Sequence, residues 1–459
     1  MTKEEEIINL INCLCCKIDP NTARDLFEWK IFNLKNPKLS YYYALKMPGA
    51  NLLGHCNIIK ESGNPEYNYL AARYIPNSDW GAHEWEVIKS GNLEYIFKFA
   101  KYMSNSHKDL LSKKVLESKD AKANYMFYKY IDGVDKKVHL NEVLKSGNPE
   151  YNYLIARYEG NVNRKKFIEA VYKSGSAEYN YLMSEYIRDV DLERIEQNII
   201  KSKNPHYAYM FLVSGKATDK YALVDVILES KNAEANYQVA RDVEGVDVLK
   251  HQQIVMDSHN PNFIFLFARD VEGANKRPLE KLILQIKDPE YALAYASDIE
   301  GAKTKLLAKI VVNSRNPKYC YHFAFNIRHC DIEEQDLDKF EDVVINSNSG
   351  KYNVLYLEKI STKRFREHLK PIVESKDPKY LYRFAELFSK ELTSDELKLI
   401  EDKLFETGNT LYIGSFIERF KINRKIEHNY VPVNIDEKVK RLNKILEVEW
   451  KRLLIIVFF

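Results

Sequence analysis

Three short segments contain residue types that could do chemistry at a familiar spacing. Residues 49–56 (Gly-Ala-Asn-Leu-Leu-Gly-His-Cys) have the two glycines of a phosphate-binding loop. Such a loop also needs a lysine and a hydroxyl, which handle phosphate and Mg²⁺. Both are missing here, so we do not expect nucleotide binding, and we interpret Gly49 as a helix end.

The other two segments are similar to parts of metal sites. His83-Glu84 begins as a zinc-protease helix does, but Val87 occupies the position of the second histidine. Cys13 and Cys16 have C-x-x-C spacing, yet no second Cys/His pair follows nearby. The remaining histidines are scattered, and no nucleophile–base set is visible. We therefore expect no catalytic residue, no metal site and no cofactor.

The elements that would position any site come from an internal repeat. We define an anchor as the residue two positions before an Asn/Asp that starts a helix. Eleven anchors follow one another at steps of 28 residues: Leu34, Ser62, Ser90, Ser118, Ser146, Ser174, Ser202, Ser230, Ser258, Ile286 and Ser314. Ser347, Ser375 and Thr407 continue the series at steps of 33, 28 and 32 residues. A fixed period in this range predicts a solenoid.

Each unit is predicted to contain two helices and no strand. The first helix starts at an Asn or Asp cap, usually with proline next: Asn64, Asn148, Asn204, Asp288 and Asp377. Glycines fifteen residues after the anchor are predicted to be the left-handed residue of a Schellman turn: Gly49, Gly133, Gly245, Gly273 and Gly301. The second helix is predicted to start at the next polar cap: Asn51, Asp135, Asp247 or Asn275.

Aromatic residues follow the same period, and the chain has 32 tyrosines. Rings recur five and seven residues after the anchor, as at Tyr151 and Tyr153, and a small residue such as Ala156 stands ten after it. We expect these rings to fill the seam between stacked helices. The alternative is that they stack on nucleic-acid bases, one per repeat. His139 and His251 share a repeat position with Leu223, so we interpret them as core residues.

The repeat divides the chain into three predicted parts. Residues 1–33 form an N-terminal helical cap, residues 34–421 form the repeat array, and residues 422–459 form a linker and a capping helix. The alternative is that the apolar end of this last helix binds a partner or a second copy of the chain. The two longer steps predict insertions near residues 328–339 and 389–397, and insertions in solenoids often lie on the binding face.

The overall composition limits the classes of function. The 459 residues include 69 basic and 66 acidic side chains, a net charge of +3, which is too balanced to indicate nucleic-acid or membrane binding. The six cysteines follow no disulfide pattern. Residues 1–10 lack the basic segment of a signal peptide, and the apolar run 453–459 is too short to span a bilayer. We expect a cytoplasmic protein without a membrane span.

One periodic feature of the surface remains. Basic residues recur eleven positions after the anchors: Arg73, Lys101, Lys129, Arg157, Arg241 and Arg269. Towards the far end the same position is acidic, as at Glu358, Glu386 and Glu418. The row could bind an extended acidic partner. Alternatively, the bases pair with acids three residues further along their helices: Lys129 with Asp132, Arg241 with Glu244 and Arg269 with Glu272.

The repeated sequence Ser-(Gly/Lys)-(Asn/Asp)-Pro-Glu-Tyr-(Asn/Ala)-Tyr-Leu-x-Ala-Arg, followed by Glu-Gly-(Val/Ala)-Asp, resembles a helical-hairpin repeat in uncharacterised proteins of giant DNA viruses and phages. Residues 146–157 and 258–275 carry the resemblance best, and it covers roughly residues 34–420. The resemblance implies a viral protein in the host-cell cytoplasm and no known activity. The unit is not a tetratricopeptide repeat, whose period is about 34 residues.

These observations predict an all-α fold, an α-solenoid of about fourteen stacked antiparallel hairpins. The predicted function is a non-enzymatic scaffold for protein–protein interaction, with the basic row and the two insertions as candidate binding sites. The alternative is sequence-tolerant nucleic-acid binding through the same row.

Overall fold

The computed structural model describes residues 28–29, 31–327 and 334–421, and within them the chain is all-α. First and second helices of the repeat alternate along the chain. In order they are α1 (Pro37–Lys46), α2 (Leu52–Glu61), α3 (Pro65–Tyr74), α4 (Trp80–Ser90), α5 (Leu93–Tyr102), α6 (Lys108–Ser118), α7 (Ala121–Tyr130), α8 (Lys136–Ser146), α9 (Pro149–Tyr158), α10 (Arg164–Ser174), α11 (Ala177–Tyr186), α12 (Leu192–Ser202), α13 (Pro205–Val213), α14 (Lys220–Ser230), α15 (Ala233–Asp242), α16 (Val248–Asp257), α17 (Pro261–Asp270), α18 (Lys276–Ile286), α19 (Pro289–Asp298), α20 (Thr304–Asn313), α21 (Pro317–Ile327), α22 (Glu334–Ile345), α23 (Gly350–Lys359), α24 (Phe365–Ser375), α25 (Pro378–Leu387), α26 (Ser394–Glu406) and α27 (Thr410–Phe420).

The helices are grouped into two compact units. The first comprises the chain up to Ser258 with Val271–Gly273, and the second comprises His259–Asp270 and the chain from Ala274. Within each unit, an odd-numbered helix packs against the even-numbered helix after it and against its odd-numbered neighbours. This arrangement confirms the predicted α-solenoid of hairpins, and the described residues contain thirteen hairpins and the first helix of a fourteenth.

Much of the predicted cap and C-terminal helix lies outside the described residues, as does the segment 328–333 of the first insertion. The second insertion, near 389–397, falls in the connection from α25 to α26 and in the first turn of α26. There Thr393 and Glu396 form a capping box. Among the described residues, no helix has the length and apolar character needed to cross a membrane.

The anchor serine joins the end of one repeat to the start of the next. Ser146 Oγ donates to the carbonyl of Val143 at 2.6 Å and accepts from the amide of Asn148 at 3.1 Å. The same two bonds are made by Ser62, Ser90, Ser118, Ser174, Ser202, Ser230, Ser314, Ser347, Ser375 and Thr407. The next residue is left-handed, as in Gly147 (φ 65°) and Lys231 (φ 53°), so the chain reverses at once into the following helix.

The predicted helix starts are confirmed, whereas the predicted Schellman turns are wrong. Asn148 Oδ1 accepts from the amide of Tyr151, and the predicted caps of the second helices precede α2, α8, α16 and α18. However, α1 already ends at Met47, an extended residue whose amide bonds to the carbonyl of Tyr43. Gly49 (φ 74°) lies two residues further on, in a turn closed by the amide of Ala50 and the carbonyl of Met47. The glycine therefore serves a β-turn after the helix.

A buried Asn–His pair lies inside several hairpins. Asn236 Nδ2 donates to the carbonyls of Ile227 and Asn232, at 3.0 and 2.8 Å, so its Oδ1 accepts from Nδ1 of His251 at 2.7 Å. The other pairs are Asn68–His83, Asn124–His139 and Asn353–His368. These histidines are buried, which confirms the predicted core position of His139 and His251.

In other hairpins both positions are apolar. The corresponding residues are Ala208 with Leu223 and Ile264 with Leu279, and all four are buried. Such apolar pairs avoid a buried amide oxygen without a donor, which would cost about 1–3 kcal/mol.

Buried glutamates connect successive second helices. Glu84 is only 1% exposed and accepts from the amide of His107 at 2.8 Å. Glu196 accepts from the amides of Thr218 and Asp219, both at 2.9 Å. In each case the carboxylate lies at the N-terminus of the next second helix, where free amides stabilise negative charge.

The Asn–His pair predicts a coupled mutational effect. Asn236→Ala or His251→Leu alone should destabilise the first unit by about 1–3 kcal/mol, because each leaves a buried polar group unpaired. The double variant has the same residue pair as Ala208 and Leu223. Its loss of stability should be about 1–2 kcal/mol smaller than the sum of the two single losses. Urea unfolding of the four proteins measures this coupling, and strictly additive losses would contradict the assignment.

Buried histidines also predict sensitivity to acid. Burial lowers the pKa of His55, His83 and His251 from 6.5 to about 4. Below pH 6.5 the unfolded chain therefore binds protons that the folded chain does not. Stability should fall as the pH drops from 6.5 towards 4, by about 1.4 kcal/mol per pH unit for each histidine. Unfolding measured across this pH range should give a smaller slope of stability against pH for Asn236→Ala/His251→Leu, which has one buried histidine fewer. An unchanged slope would contradict the prediction.

Candidate protein-binding surface

The last turn of each first helix brings two consecutive residues to the surface. Because the first helices stack side by side, equivalent residues form rows across the first unit. From α3 to α11 these positions hold a cation followed by a tyrosine, except that α11 contributes only the tyrosine. We call these nine residues the cation–tyrosine row: Arg73, Tyr74, Lys101, Tyr102, Lys129, Tyr130, Arg157, Tyr158 and Tyr186.

Each cation of the row lies against the tyrosine of the following repeat. The distances from the charged group to the ring centroid are 4.8 Å for Arg73–Tyr102, 4.8 Å for Lys101–Tyr130, 5.8 Å for Lys129–Tyr158 and 3.9 Å for Arg157–Tyr186. Arg157 also lies 4.9 Å from the ring of Tyr158 on its own helix. The cations therefore bridge consecutive tyrosines through cation–π contacts.

A second layer of tyrosines supports the cations from below. Arg157 Nη1 donates to the hydroxyl of Tyr153 at 2.7 Å, and Lys129 Nζ donates to Tyr125 at 3.0 Å. The hydrogen bond to Tyr125 raises the pKa of Lys129. Tyr153 is 3% exposed, which confirms the predicted core role of this ladder and leaves no room for base stacking there.

The ladder is continuous between repeats. The ring of Tyr125 lies 5.4 Å from that of Tyr151, and Tyr153 lies 5.8 Å from Tyr179, measured between centroids. Each pair joins two neighbouring first helices. The cations above therefore lie on a continuous aromatic layer in which Tyr125 and Tyr153 are buried and Tyr151 and Tyr179 partly buried.

The tyrosines of the row itself remain half exposed. Their exposed fractions run from 45% for Tyr130 to 56% for Tyr158. Among the described residues, the hydroxyls of Tyr102, Tyr130, Tyr158 and Tyr186 have no hydrogen-bond partner, unlike the buried tyrosines below. The surface thus offers flat aromatic faces, free hydroxyl groups and positive charge.

Two of the six predicted basic residues lie outside this row. Arg241 belongs to the first unit, and its guanidinium forms two 2.7 Å hydrogen bonds to Asp242 and one 3.0 Å bond to Tyr237. Arg269 belongs to the second unit and bonds to Asp270 at 2.6 and 3.0 Å. At both positions an aspartate replaces the tyrosine of the row and neutralises the arginine.

The predicted pairing with acids three residues further along the helix is wrong. α15 ends at Asp242, so Glu244 is not in helical register with Arg241. Asp132 pairs with Lys136 at 3.1 Å, and the carboxylate near Lys129 is that of Glu159 at 3.7 Å. The basic residues occupy the last helical turn, where no further turn exists to supply such a partner.

The acidic residues at the same repeat position are also paired. Glu185, which occupies the cation position of α11, binds Lys216 Nζ at 2.6 Å. In the second unit Arg383 bridges Glu358 and Glu386, at 2.5 and 2.7 Å. The predicted change from basic to acidic positions is therefore largely neutralised by local ion pairs.

Two of the three chemistry-like motifs have structural roles. A Cβ at Gly54 would lie 2.7 Å from the Phe32 ring, so close packing requires this glycine. His83 and Glu84 are bound to Asn68 and His107. Among the described residues, no group of three His, Cys, Asp or Glu could hold a metal ion, and Cys56 and Cys320 are buried free thiols. Cys13 and Cys16 lie outside the described residues.

The exposed tyrosines were missed by the sequence reasoning, although a signal exists. Tyr74, Tyr102, Tyr130, Tyr158 and Tyr186 follow the 28-residue period, one position after the basic row. Their exposure, and their contact with the cation of the preceding repeat, depend on helix stacking.

Comparisons with known proteins add only distant likenesses. No protein-family model and no curated protein matches the chain. One similar solved structure is c5321, a protective antigen of uropathogenic Escherichia coli strains that displays an SLR fold, with 10% identity over 89% of this chain and 98% of that chain and a TM-score of 0.24. Another is a circular tandem repeat protein with a novel repeat topology, with 11% identity over 97% of both chains and a TM-score of 0.11. These values carry no argument about function.

The bridging role of the cations predicts a stability effect. Arg157→Ala removes the bond to Tyr153 and the contacts with two rings, and should lower the free energy of unfolding by about 1–2 kcal/mol. Lys145→Ala is the matched control, because Lys145 is exposed and, within the described part of the chain, pairs with Glu142 alone, and its loss should cost less than about 0.5 kcal/mol. Equal effects in urea unfolding would show that the ring contacts contribute nothing.

Proposed function

We propose that the protein is a non-enzymatic scaffold for protein–protein interaction and that the cation–tyrosine row is its principal contact surface. The observation that carries this proposal is the rigid, half-exposed series of tyrosines bridged by cations from Arg73 to Tyr186. Tyrosine and arginine are among the residues most enriched at binding hot spots. Their side chains are already ordered here, so a partner that covers them loses less conformational entropy.

Arg241 and Arg269 are weaker candidates for the same role. Each is neutralised by the aspartate next to it, which lowers the attraction for an acidic partner. We propose that they contribute to the margin of the interface, while Lys101, Lys129 and Arg157 belong to its centre. The resemblance to viral and phage repeats supports a site of action in the host-cell cytoplasm.

A matched pair of triple variants tests the proposal. The row variant is Tyr102→Ser/Tyr130→Ser/Tyr158→Ser. The control is Trp85→Ser/Tyr221→Ser/Leu249→Ser, which removes three exposed apolar side chains from second helices. Affinity purification from the native cell with quantitative mass spectrometry should recover a partner with the wild-type chain and the control. The row variant should lose that partner at least about tenfold, since hot-spot truncations cost about 2 kcal/mol or more.

Two outcomes would reject the proposal. Partner recovery that survives in the row variant would place the interface elsewhere. Binding of single-stranded RNA or DNA that falls steeply with salt, and is lost in Arg73→Glu/Arg157→Glu, would favour nucleic-acid binding instead.

A further inference from the structure

We infer that the segment bound by the cation–tyrosine row is an acidic, proline-rich chain in the polyproline II conformation. This inference rests on the proposed function and specifies the chemistry of the partner. Three properties of the row support it: its spacing, its exposed groups and its charge.

The spacing of the row matches one turn of a polyproline II helix. Packed helices lie about 8–10 Å apart, so stacked first helices present one tyrosine at about that interval. Polyproline II has 3 residues per turn and rises about 3.1 Å per residue, which places every third side chain on one face at about 9.3 Å. A β-strand repeats its faces every two residues, at about 6.6 Å, and does not match.

An α-helical partner fits less well for two reasons. Its nearest repeat is seven residues, about 10.5 Å, which lies outside the interval of about 8–10 Å between packed helices. Its backbone groups are also satisfied internally, so they would leave the free hydroxyls of the row without acceptors. The polyproline II backbone has no internal hydrogen bonds and exposes its carbonyls.

The exposed groups suit a proline-rich chain. Proline rings dock on aromatic surfaces, and about half of each tyrosine in the row is accessible. The hydroxyls of Tyr102, Tyr130 and Tyr158 can donate to carbonyls of a chain lying across them. A chain that covers all five tyrosines would have about thirteen residues.

The charge of the row favours carboxylates on this chain. Within the described part of the protein, Arg73, Lys101 and Arg157 form no ion pair with a carboxylate. Lys129 is the one cation of the row with a carboxylate nearby among the described residues, that of Glu159 at 3.7 Å. Three of the four cations are thus free to attract acidic side chains between the prolines.

Synthetic peptides test the inference on the full chain. The probe is (Pro-Pro-Glu)₅, and its controls are (Gly-Ser-Glu)₅, with the same charge and a flexible backbone, and (Pro-Pro-Lys)₅, with the opposite charge. Fluorescence anisotropy should show binding of the probe at least about tenfold tighter than that of either control. The row variant should abolish this binding, and Trp85→Ser/Tyr221→Ser/Leu249→Ser should retain it.

Each alternative result overturns the inference. If (Gly-Ser-Glu)₅ binds as tightly as the probe, charge alone explains recognition. If (Pro-Pro-Glu)₅ does not bind, this ligand class is excluded. If the row variant still binds the probe, the site lies elsewhere. If the peptide fails while cellular partner recovery still depends on the row, the scaffold function stands and only the ligand class is wrong. If recovery does not depend on the row either, both fail.

Discussion

The hydrogen bonds at the junction between successive repeats are the constraint on which the rest of the structure depends. The last turn of a helix has free carbonyls, and here those carbonyls are buried against the next helix. The carbonyl of Ile227 accepts from both Ser230 Oγ at 2.6 Å and Asn236 Nδ2 at 3.0 Å. One side chain closes the turn and the other comes from the following helix, so the step from one hairpin to the next is fixed by directional bonds as well as by apolar contact.

Regular steps explain why a surface row forms. When successive first helices pack with the same offset, a cation on one helix contacts the tyrosine of the next. The guanidinium of Arg157, for example, lies 3.9 Å from the ring centroid of Tyr186. The row is therefore a product of contacts between repeats, and it ends where Val213 and Ser214 replace the pair. Its rigidity derives from the buried aromatic layer below it, which carries the same period.

The polar core shows how strictly this stacking matches hydrogen-bond partners. Asn236 is opposite His251, whereas Ala208 is opposite Leu223. The match is incomplete at several positions among the described residues: the Oγ of Ser40 and the Nε2 of His251 have no hydrogen bond, and neither does the Oδ1 of Asn152. Asn152 and Arg157 lie on the same helix, so one of the central cations of the row lies above a core position with an unpaired polar atom.

The sequence by itself determined the features that depend on near neighbours: the 28-residue period, the Asn and Asp caps, and the buried ring positions. A cap contacts amides two or three residues away, so its signal is local. Only the tertiary structure decided which residues meet between repeats. Arg73 lies against Tyr102, 29 residues later, and Lys216 reaches Glu185 across a similar separation. Acids three residues further along the same helix were therefore the wrong choice of partner. The turn at Gly49 was misplaced because an extended Met47 ends the helix early, and the glycine then belongs to the turn that closes between the amide of Ala50 and the carbonyl of Met47.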